Sequence, residues 1–130
     1  SEPSNFIRIQ KIYNNDLQKL RKNISGFRFD DKSTKEAMRS LFNSHNYLSD
    51  PHSAVGYLGL KKYMEINNIE NVNGIFISTA HSIKFKDVVE NAIGTNVDYP
   101  KSIKDIMVKE KKSSSIENYS ELKEYLLQRN

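Results

Sequence analysis

From Asp50 to Leu60 the chain carries a helix that is apolar on nearly every side, and this segment limits what the whole can fold into. Asp50 is a good helix cap, because its carboxylate can accept from the free N–H groups of the first turn. Pro51 suits the first helical position, where its missing N–H has no partner to lose. The run Ala54-Val55-Gly56-Tyr57-Leu58-Gly59-Leu60 then leaves no polar face. Such a helix needs cover all round rather than a place on a surface. Gly56 and Gly59 each cost about 1 kcal/mol of helix stability relative to alanine. A neighbouring backbone passing close to them would explain both.

The rest of the chain must provide that cover. With 130 residues it is long enough for one core, so residues 1–130 are expected to be a single domain. At 37% hydrophobic and 28% charged residues, a folded protein is expected rather than a disordered one. There is no cysteine, which excludes disulfides, thiolate metal sites and a cysteine nucleophile and fits a reducing, cytoplasmic setting. No apolar run approaches the roughly 20 residues that span a bilayer, so no membrane partner is expected. The start, Ser1-Glu2-Pro3-Ser4-Asn5, has no signal-peptide character. Its first residue is not methionine, a hint that the chain was cut from something longer.

The formal net charge of +4 is concentrated in Lys101 to Lys112, where five lysines face only Asp105 and Glu110. A nucleic-acid binder spreads its basic residues along a face and interleaves aromatics. This stretch does neither, so it reads as a solvated helix surface and no nucleic-acid partner is expected.

Helical signals recur along the chain. Asn5 to Tyr13, opened by Ser4 or Asn5, places Phe6, Ile9 and Tyr13 on one side. Leu17, Leu20 and Ile24 suggest a second short helix, broken by Ser25-Gly26. Phe27-Arg28-Phe29 alternates like a short half-buried strand. Ser33 to Asn46 is a helix with Met38, Leu41, Phe42 and His45 on one face. Ser33 and Glu36 form a capping box there, worth about 1 kcal/mol in the serine hydroxyl. Lys84 to Ile93 is helical and ends at Gly94. A lysine-rich helix follows Pro100, with a loop around Ser113-Ser114-Ser115. A last helix spans Tyr119 to Gln128 with Leu122, Tyr125 and Leu126 inward.

The chemistry is expected after the turn Asn73-Gly74. Ile75-Phe76-Ile77 reads as a strand covered on both faces, as in a parallel sheet. The fold expected is therefore α/β, mostly helical around a small parallel sheet. In open α/β sheets ligands bind beyond the carboxyl ends of strands. This puts Ser78-Thr79-Ala80-His81-Ser82 at the functional end, where a helix amino terminus also offers N–H groups. Serine and threonine also serve at such places simply to cap the next helix, and position alone leaves both roles open for Thr79 and His81. No metal site is expected, since His45, His52 and His81 have no supporting carboxylate spacing. No phosphate-binding glycine loop and no nucleophile elbow occur.

Two blocks carry a resemblance. Asp50-Pro51-His52-Ser53-Ala54-Val55-Gly56 resembles the Asp-Pro-His-(Ser/Thr)-Ala-Val-Gly signature of threonine synthases. Ser78-Thr79-Ala80-His81-Ser82-Ile83-Lys84-Phe85 is similar to that family's Ser-Thr-Ala-His-Pro-Ala-Lys-Phe segment, in the right order and spacing. Ser4-Asn5-Phe6-Ile7-Arg8 resembles an upstream block. The match runs from Pro3 to about Gly94.

The resemblance implies the carboxy-terminal part of a pyridoxal-phosphate lyase of fold type II. That enzyme makes L-threonine from O-phospho-L-homoserine and water, releasing phosphate. It also implies that the Thr79 hydroxyl contacts the pyridine nitrogen of the cofactor. A hydroxyl can donate to a neutral ring nitrogen without requiring its protonation. His81, Lys84, His52 and Asn5 fall in the matching blocks and are expected near the site. The Schiff-base lysine and the cofactor-phosphate loop belong to the family's amino-terminal part, which is the expected partner. The chain alone is therefore expected to be inactive, and Lys84 matches a different family position. Ser82-Ile83 departs from the family's Pro-Ala and alters the turn after His81. A rival reading is a non-catalytic α/β binding module derived from such an enzyme.

Overall fold

The computed structural model describes residues 5–128. By their contacts the residues group into two compact units, Ser1–Val97 and Asp98–Asn130, where length alone suggested one domain.

In the first unit α1 (Phe6–Ile12) and α2 (Leu17–Asn23) are short. Asp16, not singled out from the sequence, caps α2 by accepting from the Lys19 N–H. The long helices α3 (Asp31–His45) and α4 (Pro51–Ile66) follow, then a 3-10 turn (Ser82–Phe85) running into α5 (Lys86–Ile93). Helix α3 packs against both α4 and α5. Ala37, Met38, Ala54, Val89 and Ala92 form the buried core between them. Three of these five are alanines, so the helices approach closely and Met38 fills the remaining space. Leu48, Tyr57, Leu58, Phe85, Ile93 and Val97 pack around this centre.

Side chains tie the helix ends. The Arg39 Nε donates to the Ala92 carbonyl at 2.9 Å, satisfying a free acceptor near the end of α5. The Lys86 ammonium bridges the Glu90 carboxylate and the Val97 carbonyl, and Glu90 also accepts from the Val97 N–H at 2.7 Å. Gly94 ends α5 with φ +75°, the left-handed role expected of it. Elsewhere the left-handed corners are all asparagine: Asn14, Asn15, Asn46, Asn68 and Asn71.

Several expectations are corrected. Helix α3 begins two residues early, and Asp30 caps it by accepting from the Ser33 N–H at 2.8 Å. Ser33 lies inside the first turn, so the Ser33–Glu36 capping box is not formed. No turn forms at Asn73-Gly74, and the chain leaves α4 through left-handed Asn68 and Asn71. A Cβ at Gly74 would lie 2.7 Å from Leu60 Cδ2, so a larger residue there requires the Leu60 side chain to shift. No backbone crowds Gly56, and Gly59 meets only the Phe27 ring at ordinary contact distance. Nor is α4 covered all round, because Val55 and Tyr63 are exposed.

The small parallel sheet is not seen. Ile75-Phe76-Ile77 and Phe27-Arg28-Phe29 run without ladder bonds, and no strand occurs among the described residues. A strand exists only through a partner, and no described segment pairs with either run. Ile75 and Ile77 are 84% and 77% exposed rather than covered. Phe76 alone turns inward, edge-on to Tyr47 and Tyr57.

The second unit holds α6 (Lys101–Met107) and α7 (Tyr119–Leu127), neither with a buried residue. Asn118 caps α7 by accepting from the Glu121 N–H, and the Glu121 carboxylate accepts back from Asn118 and from the Glu117 N–H. Leu122, Tyr125 and Leu126, expected inward, are exposed.

Candidate functional site

The amino terminus of α4 begins with a buried carboxylate. Asp50 is 1% exposed and accepts from the His52 N–H at 2.9 Å, the Ser53 N–H at 3.4 Å and the Ser53 hydroxyl. The His52 ring lies alongside, with Nδ1 3.2 Å from the same carboxylate. Burial pushes the Asp50 carboxyl up, but the hydrogen bonds from Ser53 and His52 outweigh it and hold the group below its ordinary value. Asp50 therefore sits there as an anion.

An ionised carboxylate can only accept, so the His52 Nδ1 carries a hydrogen and donates it to Asp50. The ring packs on Phe85, centroids 5.0 Å apart, while its side chain stays 69% exposed.

The second block arrives from residues 77–85. Ser78 Oγ lies 2.9 Å from Ser53 Oγ and 3.3 Å from the Ala80 carbonyl. Thr79 follows, exposed, and its hydroxyl has no hydrogen-bond partner among the described residues. One hydroxyl is thus anchored to α4 and the next is exposed.

His81 caps the 3-10 turn: its Nδ1 accepts from the Ile83 N–H at 3.2 Å, so the ring hydrogen is on Nε2. Both rings are exposed, and His81 presents a donor at Nε2. Ser82 is buried and Lys84 is exposed on the turn.

The structure therefore brings the two blocks together through Ser53–Ser78 and His52–Phe85. Asn5 heads α1, makes no capping bond with its side chain, and takes no part in these contacts. Ser53 and Ser78 as a pair, 25 positions apart, carried no signal in the sequence. Ser49 was also missed: its hydroxyl is buried without a partner among the described residues. A groove of about 490 Å³ runs beside the site between α4 and residues 75–77, walled by Val55, Gly56, Gly59 and Tyr63. No group of three His, Cys, Asp or Glu residues able to hold a metal occurs among the described residues. No helix is long and apolar enough to cross a membrane.

Residues 53–126 match the family described as "Threonine synthase, C-terminal". The chain belongs to this family. Among curated threonine synthases, that of Escherichia coli is 33% identical over 103 residues, covering 79% of this chain and 23% of the relative. That of Buchnera aphidicola from Acyrthosiphon pisum is 32% identical over 133 residues, covering 99% of this chain and 29% of the relative. The chain thus spans about a quarter of the length of these threonine synthases.

The crystal structure of the Escherichia coli threonine synthase superimposes with a TM-score of 0.72 at 27% identity, over 100% of this chain and 29% of that one. A structure of pyridoxal-phosphate-bound threonine synthase from Brucella melitensis shares the fold with a TM-score of 0.60 at 22% identity, over 96% of this chain and 31% of that one.

Proposed function

We propose that this chain is the carboxy-terminal part of a threonine synthase and forms one wall of its pyridoxal-phosphate cleft. The whole enzyme would act in the cytoplasm as a lyase on O-phospho-L-homoserine and water, yielding L-threonine and phosphate. The observation that carries the reading is the Thr79 hydroxyl, unbonded beside an anchored neighbour in a block that matches the family.

A threonine hydroxyl suits the cofactor's pyridine nitrogen because it donates to the neutral ring and leaves it unprotonated. Pyridoxal phosphate bound there supplies an electron sink, milder than one held by a carboxylate, which suits elimination and replacement. His52, His81, Lys84 and Asn5 are assigned to the surroundings of the cleft. The lysine that attaches the cofactor and the loop for its phosphate are assigned to the amino-terminal part of the enzyme. This chain alone is therefore inactive.

The test is Thr79→Val against Thr79→Ser in the complete enzyme. One hydrogen bond of roughly 1 kcal/mol corresponds to about a fivefold loss of cofactor affinity in the valine variant. Serine should retain most of it. A valine variant with unchanged cofactor affinity, absorption and turnover would refute the assignment. So would turnover of phosphohomoserine by this chain alone.

A further inference from the structure

Residues 70–80 make no backbone–backbone hydrogen bond among the described residues. Side chains alone hold this stretch. Gly74 rests on Leu60 and Phe76 on two tyrosine rings. From 77 to 80 the described hydrogen bonds are those of the Ser78 hydroxyl, to Ser53 and to the Ala80 carbonyl.

The direction of the first bond follows from counting protons. Asp50 is ionised and only accepts, so the single Ser53 proton goes to Asp50. Between the two serines Ser78 must then donate, so its one proton goes to the Ser53 oxygen at 2.9 Å and the longer 3.3 Å approach to the Ala80 carbonyl is left without one. A charged acceptor at the end of such a chain polarises and strengthens each bond in it.

We propose that Ser53 and Ser78 are positioning residues for Thr79: buried Asp50 fixes the Ser53 hydroxyl, which pins Ser78 to α4 and so sets where the next hydroxyl faces. This rests on the assignment of Thr79 to the cofactor ring. Neither serine touches the reacting atoms. Their contribution is to hold in one place a hydroxyl whose own backbone has no ladder to hold it.

The decisive pair is Ser78→Val and Ser78→Thr, which have the same shape and differ only in the hydroxyl. Both are made in the complete enzyme, amino-terminal part included. Ser78 is exposed, so neither is expected to move the melting midpoint. With valine, backbone order parameters at residues 77–80 should fall, and the dissociation constant for pyridoxal phosphate should rise by about fivefold, the loss of one hydrogen bond. Threonine should match the parent in both.

Ser53→Ala should reproduce the valine result, and the double variant should be no worse than either single one. Unchanged order parameters at 77–80 in Ser78→Val, or lowered ones with unaltered cofactor affinity, would overturn the proposal. So would fully additive losses in the double variant. If instead Thr79→Val leaves affinity untouched while Ser78→Val lowers it, the Thr79 assignment is what fails.

Discussion

Four donors converge on the Asp50 carboxylate: two backbone N–H groups, the Ser53 hydroxyl and the His52 ring. A carboxyl whose folded value lies below its unfolded one stabilises the fold fully above the unfolded value. That contribution is lost as pH falls through the folded value. Urea unfolding should therefore show constant support from Asp50 above about pH 5 and a loss beginning below about pH 4. Asp50→Asn should remove this acid-side dependence and keep much of the cap. Asp50→Ala should cost about 1–2 kcal/mol at neutral pH.

Ser49 behaves oppositely. Its buried hydroxyl has no partner among the described residues, at a cost of about 1–3 kcal/mol, so Ser49→Ala should raise the urea midpoint of this chain. The Asp50-Pro51 cap was legible in the sequence because its chemistry is local. At α3 Glu36 pointed to Ser33 as the cap, and Asp30, three residues earlier, takes the role. The Ser53–Ser78 contact was illegible, because nothing in one chain's spacing says that residues 53 and 78 meet.

At the scale of elements, the helices were legible because their periodicity and caps lie within one stretch of sequence. Helices α3 and α5 occupy nearly the expected ranges, and α4 starts where expected and runs on to Ile66. The strand run was not realised, because pairing depends on a second segment that periodicity cannot reveal. The same reason bears on the glycines of α4. Open space surrounds Gly56 among the described residues, so Gly56→Ala should stabilise this chain by about 0.5–1 kcal/mol, read from its thermal melt. In the complete enzyme the gain should vanish if another backbone packs there, as the two helix-weakening glycines first suggested. Gly74→Ala should be destabilising, and Leu60→Ala should relieve it, giving a non-additive cycle.

For the molecule as a whole, the apolar groups left outside mark where the rest of a threonine synthase would be felt. Ile75, Ile77, Val55 and Tyr63 are exposed, beside a stretch with free amides and carbonyls. Such an edge invites pairing with other chains. Gel filtration of this chain alone should show concentration-dependent association, and Ile75→Lys with Ile77→Lys should return it toward a monomer. The family was legible because its two blocks are long and in register. The two-unit grouping was not, since length and composition do not report contacts.

The unladdered stretch from 70 to 80 has one more consequence. Proteases engage substrate as an extended strand, and backbone that owes no bonds to its own fold can enter such a cleft without local unfolding. Trace protease should nick this chain there first, and docking of the amino-terminal part of the enzyme should blunt the cut.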